Sequence, residues 1–154
     1  MGPALVLSAR TAAELQAIAE RLGRLLQVGD MLALIGPLGA GKTTFVQGLA
    51  RGLGVPADRH VASPTFALVN EHPGRVPLVH ADLYRVADAR ELEELGLTDA
   101  FDRAAVAIEW LDRFPDAAPA DRLEITIAVA PDGTRELTLQ PHGARAATLA
   151  STLG

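Results

Sequence analysis

The sequence predicts a single-domain α/β fold, with a mixed, largely parallel central sheet that is flanked by helices and ends in an antiparallel C-terminal hairpin. The apolar run Met31–Ile35 is typical of a strand buried on both faces of a parallel sheet. Residues 44–53, which follow it closely, repeat apolar side chains at helical spacing. Near the C-terminus, Pro131-Asp132-Gly133 separates two strand-like segments and indicates a hairpin. A chain of 154 residues, 49% of them hydrophobic, is sufficient for one core, so one domain is expected over residues 1–154.

Seven segments have the composition of strands. In chain order they are 4–7, 31–35, 66–71, 76–84, 104–108, 123–130 and 135–140. Pro73-Gly74 joins the third to the fourth as a hairpin, and the turn at 131–133 joins the sixth to the seventh. The second and fifth segments are apolar throughout, which predicts that both are buried strands.

Three segments have the spacing or composition of helices, and they are 11–26, 44–53 and 89–95. The first opens on a capping box, with Thr11 followed three residues later by Glu14, and the third is acidic and ends at Gly96. The polar connection 54–65 is long enough to predict a functional loop. The alanine-rich tail from Gly143 is expected to be frayed.

The composition and charge exclude several classes of function. A net charge of −5 at pH 7 argues against a non-specific nucleic-acid binder. The absence of cysteine rules out disulfides, thiolate nucleophiles and cysteine-ligated metals, and the four histidines lack the spacing of a metal-ligand pair. No signal peptide, membrane span or lipidation signal is visible, so we expect a cytoplasmic protein that does not contact a membrane.

A glycine-rich loop between strand Met31–Ile35 and the helix after it carries the strongest chemical signal. It is a full match to the P-loop pattern for nucleoside triphosphates: Gly36-Pro37-Leu38-Gly39-Ala40-Gly41-Lys42-Thr43. Lys42 is the only lysine in the chain. In such a loop the backbone N–H groups face the phosphates, the ammonium spans the β- and γ-phosphates, and the Thr43 hydroxyl is placed to bind Mg²⁺. An ordinary glycine turn accounts for the glycines, but not for Lys42 followed by Thr43.

Two apolar stretches end in a carboxylate, and each is a candidate for the acidic strand that accompanies a P-loop. Residues 77–82 end in Asp82, and residues 105–109 end in Glu109. An acid at the carboxyl end of a parallel strand beside the P-loop lies where Mg²⁺ and the attacking water are bound. The alternative is that each acid only marks the point where a strand meets solvent. Trp110, the only tryptophan, follows Glu109 directly, either as a packing residue or as part of a nucleotide site.

Five motifs, in this order along the chain, resemble those of a known family. They are Gly36-Pro37-Leu38-Gly39-Ala40-Gly41-Lys42-Thr43-Thr44, Ser63-Pro64-Thr65-Phe66, His80-Ala81-Asp82-Leu83-Tyr84-Arg85, Glu94-Leu95-Gly96 and Ile108-Glu109-Trp110. The family is that of the bacterial tRNA threonylcarbamoyladenosine biosynthesis ATPase, TsaE, also called YjeE. The ordered set is far more specific than the P-loop alone.

The resemblance implies a function that the composition does not supply. Proteins of this family are small cytoplasmic P-loop ATPases, which use ATP and Mg²⁺. They work with a heterodimer of the TsaD and TsaB proteins in adding a threonylcarbamoyl group to an adenosine of tRNA. For this chain, the resemblance therefore implies Mg²⁺-dependent ATP hydrolysis with the TsaD–TsaB heterodimer as partner, and contact with tRNA only through the complex.

The resemblance also assigns roles to individual residues. It implies that Lys42, Asp82 and Glu109 are catalytic. It implies that Thr43 and Glu109 bind Mg²⁺, or that Glu109 orients water. The residues implied to bind the nucleotide are Gly36, Leu38, Gly39, Ala40, Gly41, Lys42, Thr43, Thr44 and Trp110. The residues implied to form a switch that closes over the γ-phosphate are Ser63, Pro64, Thr65 and Phe66. Pro37 replaces an acidic or amide residue common in the family, and we expect this to change loop stiffness more than chemistry.

Three other functions compete with this interpretation. A GTPase switch needs an Asn-Lys-x-Asp motif to read its base, and a chain whose only lysine is Lys42 cannot contain one. A small-molecule P-loop kinase is the main alternative, because it needs an arginine-bearing lid, for which Arg85, Arg90 and Arg103 are available. A nucleotide-binding adaptor that does not hydrolyse ATP has no need of the two acids at the strand ends.

Overall fold

The sheet is mixed, with parallel strands at its centre and antiparallel strands outside them. The computed structural model describes residues 3–37, 39–62 and 68–154. In these ranges the strands are β1 (Leu5–Ala9), β2 (Met31–Ile35), β3 (Val69–His72), β4 (Leu78–Asp82), β5 (Ala105–Glu109), β6 (Arg122–Val129) and β7 (Arg135–His142). Their order across the sheet is β1-β7-β6-β2-β5-β4-β3. Neighbours from β6 to β4 run parallel, whereas β1, β7 and β3 pair antiparallel, so the predicted fold class is confirmed.

Helices cover both faces of the sheet. In the described ranges they are α1 (Ala12–Leu25), α2 (Lys42–Gly52), α3 (Ala89–Glu94), α4 (Leu97–Ala100) and α5 (Ala144–Leu153), with 3₁₀ turns at Leu111–Arg113 and Pro115–Ala117. The helices α1, α2 and α5 share one apolar core with the sheet, whereas α4 and the first 3₁₀ turn belong to a second core on the opposite face. The sequence pattern does not predict α4. None of the helices in the described ranges is both long enough and apolar enough to cross a membrane.

The helix that starts at Lys42 lies very close to α1. Gly48 of α2 faces the backbone of α1, and a Cβ atom on it would lie 2.4 Å from the carbonyl oxygen of Gln16. The apolar side of α2 is fully buried at Phe45 and Leu49. Close packing of this kind leaves little room for the helix to shift, so the P-loop is attached to a rigid element.

The N-cap predicted at Thr11 is confirmed, whereas the Glu14 carboxylate bonds to the amide of the residue before Thr11 and not to that of Thr11 itself. The Thr11 hydroxyl accepts from the Glu14 amide at 3.1 Å, and the Glu14 carboxylate accepts from the Arg10 amide at 3.2 Å. Two backbone N–H groups at the helix start are therefore satisfied by side chains within four residues. The signal is local, which is why the sequence alone predicts it.

The prediction of a frayed tail from Gly143 is wrong. The segment Ala144–Leu153 forms α5, and its apolar side is buried in the first core. The first amides of this helix, those of Arg145 and Ala146, donate to the Asp121 carboxylate at 3.1 Å each. A carboxylate from outside the helix therefore supplies the cap that the alanine-rich segment lacks.

A partly buried ion pair also holds α5 against the sheet. The Arg145 guanidinium donates from two nitrogens to the two oxygens of Asp30, at 2.9 Å each. Asp30 is buried and also accepts from the Gln27 amide at 2.7 Å. The same arginine donates to the Leu25 carbonyl at 2.8 Å, so it connects α5 to the end of α1.

We expect Arg145→Ala to lower the free energy of unfolding by about 3 kcal/mol, because it leaves the Asp30 carboxylate buried without its cation. Arg24→Ala is the matched control, since Arg24 pairs with Glu20 on the surface of α1 and should contribute less than about 0.5 kcal/mol. Urea denaturation followed by circular dichroism measures both changes. Equal stability of the two variants would show that the Arg145 pair does not hold α5 in place.

Candidate functional site

The P-loop leaves β2 at Gly36 and enters α2 at Lys42. Gly36 lies against the neighbouring strand β6, and a Cβ atom on it would approach the carbonyl oxygen of Ile127 to 2.8 Å. Gly41, the residue before α2, has a φ angle of +111°, a left-handed conformation that favours glycine. Both glycines are therefore required by the path of the loop, which leads directly into the N-terminus of α2. Leu38, a predicted nucleotide-binding residue, lies outside the described residues.

The side chain of Lys42 is buried at the loop, with an exposed fraction of 6%. Its ammonium donates to the Gly36 carbonyl at 2.6 Å. The Nζ atom also lies 4.3 Å from the centre of the Trp110 ring and 4.0 Å from Glu109 Oε1. A carbonyl, a ring face and a carboxylate thus all attract this ammonium, and they hold it at the P-loop.

Strand order separates the two candidate carboxylates. Glu109 ends β5, which pairs directly with β2, and its register partner there is Leu34. Asp82 ends β4, one strand farther from the P-loop, and lies opposite Glu109 in the parallel register. Glu109 is buried, whereas Asp82 is half-buried and accepts from the Tyr84 amide at 2.9 Å. Both acids therefore lie at the same edge of the sheet, with Glu109 next to the P-loop strand.

Trp110 lies over the lysine of the P-loop. Its φ angle of +65° is left-handed, which is rare for a bulky side chain and turns the chain sharply after β5. The ring contacts Tyr84, with 5.1 Å between the ring centroids, as well as the Lys42 ammonium. Together with residues of β2, the P-loop and β6, it lines a largely apolar cavity of about 480 Å³. Trp110 therefore lies at the rim of this cavity, beside the lysine of the P-loop.

A buried histidine extends the site behind Glu109. His80 of β4 has no exposed surface, and its Nε2 atom lies 2.6 Å from Glu109 Oε2. The Glu109 carboxylate is thus held by the His80 imidazole on one oxygen and faces the Lys42 ammonium with the other. Such a short hydrogen bond to a charged acceptor restricts the rotation of the carboxylate.

A second buried histidine, His72, lies on the neighbouring strand β3. Its exposed fraction is 3%, and its Nδ1 atom accepts from Arg59 Nε at 3.3 Å. Burial is the main cause that lowers the pKa of His72 below its ordinary value, and the charge of Arg59 and the nearby His80 lower it further. The imidazole of His72 is therefore neutral in the folded protein at pH 7.

We expect His72 to make the folded state less stable in acid. Its pKa is lower in the folded chain than in the unfolded chain, so the unfolded chain binds the proton first as the pH falls. Its contribution is constant above the unfolded pKa of about 6.5, and stability is lost as the pH falls from there towards the folded pKa. Urea denaturation of the parent and of His72→Phe across this range measures the effect. A stability difference that stays constant down to about pH 5 would contradict it.

Sequence reasoning does not find Arg135, which supports the P-loop from the C-terminal hairpin. Its Nε atom donates to the Ala40 carbonyl at 2.7 Å, and a second nitrogen donates to the Gly133 carbonyl at 2.7 Å. Ala40 is one of the predicted nucleotide-binding residues, so this loop is tied to β7 across 95 positions of sequence. No local signal distinguishes this arginine from the others in the chain.

The structure brings the side chains of Lys42, Glu109 and Trp110 together and places Asp82 on the adjacent strand. Thr43 and Thr44 lie in the first turn of α2 and are half-buried. The predicted switch residues lie outside the described residues, and they are Ser63, Pro64, Thr65 and Phe66.

Oxygen atoms that could hold Mg²⁺ include those of Glu109 at the end of β5 and of the Thr43 hydroxyl at the start of α2, with the Asp82 carboxylate on the next strand. Within residues 3–37, 39–62 and 68–154, no group of three or more histidine or acidic side chains forms a ready-made metal site. Mg²⁺ usually keeps several waters and is bound through one or two carboxylates together with substrate phosphates. One buried carboxylate and one hydroxyl beside a phosphate loop fit that requirement.

Both the sequence and the fold are similar to those of known proteins. The sequence profile of the family described as "Threonylcarbamoyl adenosine biosynthesis protein TsaE" matches residues 9–137. The tRNA threonylcarbamoyladenosine biosynthesis protein TsaE of Bacillus subtilis is 43% identical over 134 residues, covering 86% of this chain and 82% of the relative. The Streptomyces coelicolor protein of the same name is 38% identical over 139 residues, covering 85% of this chain and 93% of the relative. The crystal structure of Bacillus subtilis YdiB matches with a TM-score of 0.85 and 35% identity, covering 99% of this chain and 95% of that one.

Proposed function

The chain belongs to the TsaE family of tRNA threonylcarbamoyladenosine biosynthesis, and on this premise we propose that it is the ATP-binding and ATP-hydrolysing component of that machinery. The observation that carries the proposal is the buried Lys42 ammonium, held at the P-loop 4.0 Å from the Glu109 carboxylate. A cation for the phosphates beside an acid at the end of the adjacent strand is the arrangement that P-loop hydrolysis requires.

The P-loop and the start of α2 bind the phosphates of ATP. Backbone N–H groups of the loop and the positive end of the α2 dipole attract the negative charge. Lys42 exchanges its hydrogen bond with the Gly36 carbonyl for bonds to phosphate oxygens, which are stronger acceptors because they are charged. Trp110, which already contacts the ammonium, then lies beside the bound nucleotide.

The two acids act on the metal and on the attacking water. Thr43 and Glu109 would hold Mg²⁺, which would supply positive charge against the negative charge that develops on the phosphoryl oxygens. His80 fixes one oxygen of Glu109, so this carboxylate keeps one orientation beside the loop. Asp82 on the next strand is the second acid, and it helps to orient the water that attacks the γ-phosphate. The products are ADP and phosphate.

We expect slow ATP turnover by the protein alone and faster turnover with the TsaD–TsaB heterodimer. Water and γ-phosphate align in P-loop proteins only after a switch segment has closed, and we propose that docking of the heterodimer in the cytoplasm closes residues 63–66. Phosphate release is measured with and without the heterodimer, at concentrations where co-purification demonstrates the complex. Equal turnover in the two conditions would show that the partners do not control hydrolysis.

Reconstituted tRNA modification tests the proposed function as a whole. The protein is combined with the TsaD and TsaB proteins of its host, with tRNA, with an activated threonylcarbamoyl donor, and with ATP and Mg²⁺. Sustained formation of threonylcarbamoyladenosine should require both this protein and ATP, and phosphate should appear in proportion to ADP. A P-loop kinase would instead leave the phosphate on a metabolite. Modification at the same rate without the protein would contradict the proposal.

A further inference from the structure

Two buried nitrogens behind the site have no hydrogen-bond partner among the described residues, and they are His72 Nε2 and His80 Nδ1. Both side chains are almost completely buried, with exposed fractions of 3% and 0%. Most buried polar atoms in folded proteins bond to another protein group or to an ordered water, because an unsatisfied one destabilises the fold. Two such atoms on neighbouring strands therefore require an explanation.

The two nitrogens have opposite hydrogen-bonding roles. The Nδ1 atom of His72 accepts from Arg59, so the neutral ring carries its hydrogen on Nε2, which is a donor. A carboxylate only accepts, so the contact with Glu109 places the hydrogen of His80 on Nε2. With that one hydrogen on the ring, the Nδ1 atom of His80 is an acceptor. One nitrogen offers a hydrogen, and the other offers a lone pair.

The register of the sheet places the two rings on the same face. In the antiparallel pair of β3 and β4, Asn70 lies opposite His80, and His72 lies opposite Leu78. His72 and His80 are therefore diagonal neighbours. Residues in such a pair are typically about 7–8 Å apart between their Cα atoms, a separation that aromatic side chains can span. The influence of His80 on the pKa of His72 also indicates that the rings are close. A water accepts from a donor on one side and donates to an acceptor on the other, so it is the simplest bridge between two such groups.

We propose that one buried water binds between the two histidines, accepting from His72 Nε2 and donating to His80 Nδ1. With this water, a continuous chain of hydrogen bonds runs from Arg59 through both rings to Glu109, and Lys42 lies 4.0 Å beyond it. His72 and His80 are then positioning residues, because they touch no substrate and act by holding the Glu109 carboxylate.

The outer end of this hydrogen-bond chain belongs to residues 59–62, which precede the predicted switch. Arg59 also donates to the Glu71 carbonyl at 2.9 Å, and the Val61 carbonyl accepts from Gln47 at 3.1 Å. The segment is therefore attached both to β3 and to α2. A movement of Arg59 is transmitted through the histidines to the carboxylate beside the P-loop, a consequence that rests on the proposed function.

The ¹⁵N resonances of the imidazole nitrogens depend on their hydrogen bonds. They therefore test for the water in the protein alone, without nucleotide or partner. In protein labelled with ¹⁵N-histidine, NMR should show both rings as Nε2–H tautomers, with His80 Nδ1 as a hydrogen-bonded acceptor. His72→Phe removes the donor and should shift the His80 Nδ1 resonance. His60→Phe, at an exposed position of the same region, should leave that resonance unchanged. An unshifted His80 Nδ1 in folded His72→Phe would overturn the proposal.

If His72→Phe does not fold, a variant at the protein surface tests the same series of hydrogen bonds. Arg59→Ala removes the donor to His72 Nδ1 from an exposed side chain, so it should fold and should shift the nitrogens of both histidines. Arg51→Ala, also exposed, is the matched control and should shift neither. A shift in Arg59→Ala that is confined to His72 would show that no water connects the two rings.

ATP turnover measures the coupling to the site. Arg59→Ala should lower kcat about threefold to tenfold with little change in KM, because the Glu109 carboxylate, which would hold Mg²⁺ during hydrolysis, loses a restraint on its orientation. Arg59→Lys keeps a donor and should restore part of the rate, and Arg51→Ala should match the parent. A parent-level kcat in Arg59→Ala would overturn the coupling. Absence of turnover in the parent itself would contradict the proposed function. The NMR result would still show whether a water connects the two histidines.

Discussion

Lys42→Ala is expected to lower ATP turnover about 10²–10³-fold, the loss typical of removing one group that stabilises transition-state charge. The ammonium is buried at the P-loop, and the chain has no second lysine that can replace it. The fold should persist, because α2 is anchored by buried apolar side chains such as Phe45 and Leu49 rather than by the ammonium.

Phosphate release measures the turnover of Lys42→Ala, and thermal unfolding shows whether the variant is folded. The change in Trp110 fluorescence on adding ATP measures binding, since the ring lies 4.3 Å from the ammonium in the parent. Arg51→Ala is the matched control, because it removes an exposed cation from the same helix. Parent-level turnover in folded Lys42→Ala would show that the ammonium does not stabilise the transferred phosphate.

Glu109→Gln is expected to lower kcat by a similar factor, about 10²–10³, with a much smaller effect on nucleotide affinity. A metal ligand or a group that positions water contributes mainly to the transition state, where charge shifts between oxygens. The amide keeps the shape of the side chain but loses its charge between His80 and Lys42. Asp82→Asn should also lower kcat, but less, because Asp82 lies one strand farther from the P-loop strand.

Comparing kcat with nucleotide affinity shows whether each of the two acids acts in hydrolysis or in nucleotide binding. Affinity is measured from Trp110 fluorescence and kcat from phosphate release at saturating ATP. Glu124→Gln, a matched carboxylate on β6 paired with Arg122 and His142, should leave both values unchanged. If Glu109→Gln and Asp82→Asn hydrolyse ATP at the parent rate, both acids only mark the ends of their strands.

Most elements of the fold are predictable from local patterns. The strand Met31–Ile35, the N-cap at Thr11 and the hairpin turn at 131–133 all depend on side chains within a few residues of one another. Alternation, capping and turn chemistry act over that range, so the sequence pattern is sufficient. The P-loop is local in the same sense, because its glycines, lysine and threonine are consecutive.

Helix α5 shows where local patterns are insufficient. Its alanine-rich sequence has no capping residue of its own, and the prediction of a frayed tail follows from that. In the fold, its N-terminus is capped by Asp121, and its Arg145 pairs with Asp30 across 115 positions. A helix whose stabilising partners are distant in sequence cannot be predicted from its own residues.

The sequence by itself determined the order of the seven strands and of the helices α1, α2 and α3, the glycine-rich loop, and two acids at the ends of apolar strands. Only the tertiary structure decided that Glu109, and not Asp82, lies on the strand next to the P-loop, and that His80 and Arg135 support the site. The reason is physical: strand order and register follow from burying the apolar faces of the whole chain against each other. The contacts of His80 with Glu109 and of Arg135 with Ala40, across 29 and 95 positions of sequence, are consequences of that packing. They produce no recognisable pattern in the neighbouring residues.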